Sequence, residues 1–460
     1  MEITKEMIEI IHGYMESMEE EHLNELIRVA SQPSVSAQNI GVRECCDLLV
    51  DLFEKMGFRT QILESPTKPA VFAERKCGRS DAKTVLFYGH YDVQPAEPLE
   101  AWKTPPFTPT VLRGVLYGRG TADNKGQFMA HIMAIRSYLE TFGDLPVHVK
   151  FILDGEEESG SPSLAWIAEH NRELLAADVM YESDGSMQDD QTPIIAYGNR
   201  GILSFDIDIT TAAMDNHSGN KGGVIENAAW KMVKLLSTLV DDEGHCLVEG
   251  FYDTVLPMTP VQKQMIEEME FDPKALAKLY GVDHLKYEEK EEFYRHLMFL
   301  PTFTINGIGS GYCGEGSKTI IPCHAKAKID IRLVQGQKGD DIYEKVKKHI
   351  AKAEPLAVLS EYSVMEVSVT DPSLPIIAKA REAVEKVYGV KPVNLPLTGG
   401  SLPTYVFSDI LGMPVISVPY GNPDENNHAP NENLKLSCYF KGIHATAQVL
   451  YEIGTLGSNF

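Results

Sequence analysis

Apolar positions recur at helical spacing over residues 2–29 and 40–57, with Val42, Cys45, Leu49 and Phe53 on one face, and predict amphipathic helices. The pattern then changes. Val85-Leu86-Phe87-Tyr88 is a short apolar run ending at Gly89, and Val147 to Leu153 is another ending at Asp154-Gly155. Runs this short and this apolar predict buried strands whose carboxyl ends open into polar loops. Lys125 to Leu139 between them reads as a helix, so strand, helix and strand alternate as in a parallel α/β sheet. In such sheets ligands sit at the carboxyl ends of the strands.

A second region begins near Gly198. Leu203, Phe205, Ile207 and Ile209 alternate with polar residues over Ile202 to Thr210, and Ala327, Ile329, Ile331 and Leu333 do so over Ala325 to Leu333. Helical patterns at Asn227 to Leu239 and Asp340 to Lys352 follow them, which predicts a β-α-β-β-α-β unit on an antiparallel sheet. Residues of about 241–300, rich in Met, Glu and Lys, read as a helical insertion. After Pro372 come a helix (Ile376 to Val387), a strand (Val415 to Val418) and a terminal helix (Tyr439 to Ile453). The expected organisation is an α/β domain over 1–199, interrupted by an α+β domain over 200–370 and resumed over 371–460.

Length and charge narrow the picture. A chain of 460 residues, 43% apolar and 23% charged, has room for a large core. With 42 Lys+Arg against 66 Asp+Glu the net charge is −24, and no basic run interrupts it, so nucleic acid and anionic membrane surfaces are not expected partners. The amino terminus lacks the basic-then-apolar layout of a secretion signal, and no apolar run is long enough to span a membrane. The seven cysteines, Cys45, Cys46, Cys77, Cys246, Cys313, Cys323 and Cys438, are odd in number and show no CxxC spacing. Reduced thiols in a cytoplasmic protein are the expectation, with Cys45 and Cys46 in the core.

Polar chemistry concentrates in five segments at the predicted strand ends. They are Gly89-His90-Tyr91-Asp92, Gly120 to Gly126 around Asp123, Asp154-Gly155-Glu156-Glu157-Glu158-Ser159-Gly160, Glu182-Ser183-Asp184-Gly185 and Asn427-His428-Ala429-Pro430. Singly each reads as an ordinary polar turn, and a run of three glutamates as a solvated face. Here the glutamates follow a buried strand directly, and imidazole and carboxylate donors without thiolate suit zinc, manganese or cobalt. No Gly-x-Ser-x-Gly elbow is present. Gly118-Arg119-Gly120 is no nucleotide loop, because Asp123 stands where the third glycine would be.

Taken in this order, the five segments resemble the dinuclear-zinc metallopeptidase family of carnosinase, cytosolic non-specific dipeptidase, carboxypeptidase G and succinyl-diaminopimelate desuccinylase, from about residue 25 onward. The resemblance implies a zinc-peptidase catalytic domain with a mostly parallel sheet flanked by helices, plus an inserted lid or dimerisation domain. It implies that His90 and Asp184 hold one metal, Glu158 and His428 the other, and that Asp123 bridges them. Asp92 would bond the second nitrogen of His90 and fix its tautomer. Glu157 would be the general base, following the family's Glu-Glu-Ser-Gly order, with Glu156 as a solvated neighbour. Two divalent ions about 3.5–4 Å apart acidify a water and polarise the scissile carbonyl, while a carboxylate that is not a ligand carries the proton to the leaving nitrogen.

The inserted region resembles the family too. His217, in Asp215-Asn216-His217-Ser218-Gly219, matches a histidine that reaches across a homodimer to stabilise an oxyanion; a turn histidine is the plain alternative. Arg332 matches an arginine that binds the substrate carboxylate through its planar fork, against an ordinary strand-surface arginine. Gly399-Gly400-Ser401 matches the glycine-rich loop at which a carboxylate meets backbone N–H groups. Thr398 departs from the pattern, standing where the dipeptidases carry an acid. A metal-dependent dipeptidase is expected, with an N-acyl amino acid deacylase or desuccinylase as the alternative substrate class and an inactive binding protein on the same fold as the alternative of another kind.

Overall fold

From Val85 to His90 every residue is buried, and a strand that apolar on both faces belongs in the middle of a sheet. The computed structural model, which describes residues 4–456, places Thr84–His90 in an eight-stranded sheet. The order is Arg59–Leu63, Ala70–Arg75, His148–Asp154, Thr84–His90, Val179–Glu182, Val415–Ser417, Ile194–Ala196 and Val393–Leu395. Thr84–His90 runs parallel to both neighbours, Val415–Ser417 parallel to Val179–Glu182, and only the Arg59–Leu63 side is wholly antiparallel. Parallel neighbours need a crossover, and the helix Lys125–Phe142 supplies it between Thr84–His90 and His148–Asp154.

That helix is buried almost all round, between the sheet and the terminal helix Leu436–Gly454. Its entry turn needs Gly126, since a Cβ there would lie 2.0 Å from the Thr121 carbonyl oxygen. It ends at Gly143, whose φ of 71° is the left-handed conformation glycine adopts without strain. On the sheet, Phe87 and Phe151 stack with ring centroids 5.0 Å apart, and Phe53 from the helix Val42–Lys55 meets Phe151 at 4.9 Å. Each fully buried phenylalanine contributes about 1.5–3 kcal/mol by leaving water. The first helical region is two helices, Lys5–Ser17 and Glu19–Ala30, which break at Met18. Residues 1–3 and 457–460, which the expected first helix and the outer domain limits include, lie outside the described residues.

The chain divides into two compact units. The first runs to Gly198 and resumes over Val369–Leu395 and from Pro403; the second comprises Asn199–Ser368 and Pro396–Leu402. In the second, Gly201–Thr210, Thr302–Ser310, His324–Leu333, Ala357–Leu359 and Ser363–Met365 form an antiparallel sheet, with Thr302–Ser310 at one edge and the last two both paired to Gly201–Thr210. Burial alternates strictly along Gly201–Thr210, and the inward residues pack on the helices Ala228–Leu236 and Gly339–Ala353. The succession is therefore β-α-β-β-α-β, with short helices Pro260–Glu268, Pro273–Tyr280 and Lys290–Tyr294 before the second strand. No helix among the described residues is long and apolar enough to cross a membrane.

Candidate metal centre

Register delivers the polar residues of the first unit to one end of the sheet. His90 stands opposite Asp154 in the parallel ladder, and Tyr88 opposite Glu182, so the chain leaves three adjacent strands at the same level. Those exits carry His90, Glu157 with Glu158, and Asp184; the segment beyond Val415–Ser417, parallel to its neighbour, leads to His428. Asp123 arrives on the turn before the crossover helix. Asn124 braces it: its Oδ1 accepts the His90 N–H at 3.3 Å and its Nδ2 donates to the Ser183 carbonyl at 2.6 Å.

The side chains converge. His90 Nε2 lies 3.0 Å from Asp123 Oδ1 and 3.6 Å from Asp184 Oδ2. His428 Nε2 lies 3.1 Å from Asp123 Oδ2 and 3.1 Å from Glu158 Oε2. Asp123 thus offers one oxygen to each imidazole. Donor atoms of His90, Asp123 and Glu158 all fall within 4.8 Å of one another. Gln94 Nε2 donates to Glu158 Oε2 at 3.0 Å. His90 Nδ1 is 3.1 Å from the Asp92 backbone carbonyl and 3.4 Å from its carboxylate. That carboxylate accepts the N–H groups of Glu157 (3.0 Å) and Glu158 (3.3 Å) and the Ser36 hydroxyl (2.6 Å), so Asp92 ties the glutamate turn down beside His90. Glu156 is turned away: its Oε1 accepts from Thr67 and from the Ser163 N–H, and it is buried, not solvated.

Electrostatics test whether cations fit. Burial raises the Asp184 carboxyl well above its ordinary range, and the neighbouring charge of Asp123 adds to it. Glu157 is pushed up to about 8, by burial first and then by Asp123, Glu158 and Asp92 against the opposing effect of His90. Burial also works against ionised Asp123, but hydrogen bonds from His428 and His90 outweigh it and hold the group well below the usual carboxylate range. Burial disfavours a charged His90, yet Asp123 and Asp92 keep it well above the ordinary imidazole value. His428 is raised to about 10 by Asp123 and Glu158. Crowding of buried acids thus favours the protonated forms of Asp184, Glu157, His90 and His428 around an ionised Asp123, the electrostatics of a site that attracts positive charge. Oxygen and nitrogen donors, one of them shared, fit a pair of divalent ions.

The remaining residues singled out from the sequence lie in the second unit. Arg332 Nη1 donates to Ser401 Oγ at 2.8 Å. Arg200, which sequence reasoning missed, donates from Nε to the Gly399 carbonyl at 2.9 Å; it is buried, and burial and the charge of Arg332 lower it to about 10. A Cβ on Gly399 would meet Leu297, whereas Gly400 faces open space. His217 is not part of this group. It pairs with Ile320, ahead of the strand that carries Arg332 near its far end, and its Nδ1 accepts the Gly219 N–H at 3.0 Å while the ring stays exposed.

The family described as Peptidase family M20/M25/M40 matches residues 86–452. Beta-Ala-His dipeptidase of Rattus norvegicus is 33% identical over 446 residues, 94% of this chain and 89% of its own length. The Cys-Gly metallodipeptidase dug1 of Schizosaccharomyces pombe is 30% identical over 98% of this chain and 99% of its own. Among solved structures, an M20 family metallo-carboxypeptidase from Sulfolobus solfataricus superposes with a TM-score of 0.89 at 35% identity, covering 95% of this chain and 100% of its own. Human carnosine dipeptidase 1 superposes with a TM-score of 0.82 at 28% identity, covering 98% and 99%.

Proposed function

The chain belongs to peptidase family M20/M25/M40, and from that premise we propose a dipeptidase in which Glu157 moves the proton and Arg332 holds the substrate carboxylate. It is a metal-dependent hydrolase of peptide bonds. His90 and Asp184 are the proposed holders of one divalent ion, Glu158 and His428 of the other, with Asp123 shared, and zinc is the metal this donor set suits best. When bound, such a pair supplies an acidified water and a polarised carbonyl. The protein's own groups do the rest. One observation supports Glu157 as base above all: Asp92 anchors its backbone, while its carboxylate, unlike those of Asp123, Glu158 and Asp184, makes no hydrogen bond or ion pair to an imidazole among the described residues. A carboxylate so placed takes a proton from water and returns it to the leaving nitrogen, which departs poorly as an anion. Arg332, with Ser401 beside it, offers the planar fork that a carboxylate needs.

The names of the relatives make Beta-Ala-His and Cys-Gly the first substrates to try. A carboxypeptidase acting on amino-blocked or longer peptides is the second reading, favoured by Thr398 in place of an acid and by the Sulfolobus neighbour. Free dipeptides, their N-blocked forms and N-acyl amino acids, each assayed with zinc, manganese and cobalt, decide between them. Turnover of free dipeptides with none of the blocked forms supports the dipeptidase; the reverse preference sinks it.

Homodimerisation through the lid domain is proposed on exposed apolar surface. Trp230 and Val233 on one helix and Ile305 and Ile308 on the edge strand Thr302–Ser310 face solvent, a strand edge being a ready site for association. His217 is then the residue that enters the partner's site. Mixing His217→Ala with Glu158→Ala protein should restore part of the activity that each lacks alone, and no restoration would mean that His217 serves its own subunit. A cytoplasmic location is proposed from the seven cysteines, all free.

A further inference from the structure

Glu432 lies four residues past His428 and has no solvent exposure at all, yet nothing in the reaction requires it. Its carboxylate is saturated with donors. Oε1 accepts the backbone N–H groups of Ala122 and Asp123, each at 3.0 Å. Oε2 accepts the Gly120 N–H at 3.0 Å and Arg119 Nη1 at 2.8 Å. The Glu432 carbonyl accepts the Gly118 N–H at 3.0 Å, and the next residues, Asn433–Lys435, pair antiparallel with Val115–Tyr117. The turn that presents Asp123 is therefore wrapped around one buried acid. Arg119 is fixed in turn by the Pro95 carbonyl at 3.1 Å and by the Trp102 ring 5.2 Å away.

The same acid stands at the base of the loop that carries His428. Asn433 closes that loop, donating its backbone N–H to the Glu425 carbonyl at 2.8 Å and its side-chain amide to the Asp424 carbonyl at 3.0 Å. His428 reaches back from the loop to Asp123 Oδ2 at 3.1 Å. Asp123 and His428 are thus joined twice, through their side chains and through Glu432.

We infer that Glu432 is a positioning residue for the divalent-ion pair: it fixes the distance between the shared carboxylate of Asp123 and the loop imidazole of His428. The inference rests on the metal assignment made above. A neutral amide in its place would turn an N–H group toward other N–H donors and remove the anion facing Arg119, so the turn carrying Asp123 would lose its template.

The test is competition with a chelator for zinc on the full-length protein, which yields two uptake steps in wild type. His428→Ala identifies the step that depends on the loop. Glu432→Gln, folded by circular dichroism, should weaken that same step by about 10–100-fold, as lost outer partners of a ligand do, and weaken the other step, which shares Asp123 but not His428, by clearly less. Glu432→Asp, which keeps the charge but retracts it by one carbon, should fall between. Should Glu432→Gln fail to fold, Arg119→Gln reads the same step, with a smaller weakening expected. Both steps unchanged, or both weakened equally alongside a lower melting temperature, would overturn the positioning role and leave the metal centre standing. Wild type that takes up no pair of ions would overturn the metal assignment itself, and Glu432's role with it.

Discussion

Glu157 and Glu158 are adjacent, and Asp92 accepts both of their backbone N–H groups, yet their carboxylates meet different surroundings. Glu158 Oε2 is held between His428 Nε2 at 3.1 Å and Gln94 Nε2 at 3.0 Å, the environment of a ligand. Among the described residues, the Glu157 carboxylate has no such partner. Truncating each side chain should therefore separate binding from turnover. Glu157→Ala is expected to keep its divalent ions by elemental analysis while losing on the order of 10²–10⁴-fold in kcat, the usual contribution of general acid–base transfer. Glu158→Ala is expected to lose metal. Full activity in Glu157→Ala would remove it as the base, and full metal content in Glu158→Ala would remove that residue from the ligand set.

At the scale of elements, what is legible in the sequence is whatever buries on both faces or alternates over many residues. Thr84–His90 and His148–Asp154 announce themselves as apolar runs, and Gly201–Thr210 and His324–Leu333 as long alternations. Ile194–Ala196 and Val393–Leu395 are three residues each, too short to show any period, and the pairing that makes them strands is with each other across the chain. Arg59–Leu63 is an edge strand in which exposed and half-buried residues alternate and only Leu63 is buried, so its composition carries little signal. The same division holds at the site. His90, Asp123, Glu158, Asp184 and His428 stand out only together, as five polar segments in one order at predicted strand ends, and the fold brings them together. Asn124, Gln94 and Glu432 do not stand out, because each works on backbone or on another side chain far away in sequence, and an acid after an asparagine looks like any loop residue. Asp92 shows the intermediate case. Its place beside His90 is readable, but not its hold on the glutamate turn.

At the scale of the whole chain, the described amino-terminal helices and the terminal helix Leu436–Gly454 enclose the buried helix Lys125–Phe142, and histidines lie in these contacts. His22 sits by Ser137, His131 by Thr446 at 2.9 Å, and His444 stacks on His12 with centroids 4.8 Å apart. Burial lowers His22 and His444 to about 4, and His131 to about 3, from an unfolded value of 6.5. A folded pKa below the unfolded one means that the stability these rings allow is complete above pH 6.5. It is lost as the pH falls toward 4, where the unfolded chain binds protons that the folded one refuses. Buried Asp154, raised to about 7 by burial and then by Asp92, works in the opposite direction: its contribution is complete at low pH and is lost as the pH rises through that value. The profile of the whole protein mixes these signs, so one ring must be isolated by difference. With chelator present to remove metal from both proteins, His131→Gln should melt below wild type at pH 7.5, and the gap should narrow steadily between pH 6.5 and 5. A gap constant with pH would mean that His131 matters to the folded chain through packing and its bond to Thr446, and not through the proton it excludes.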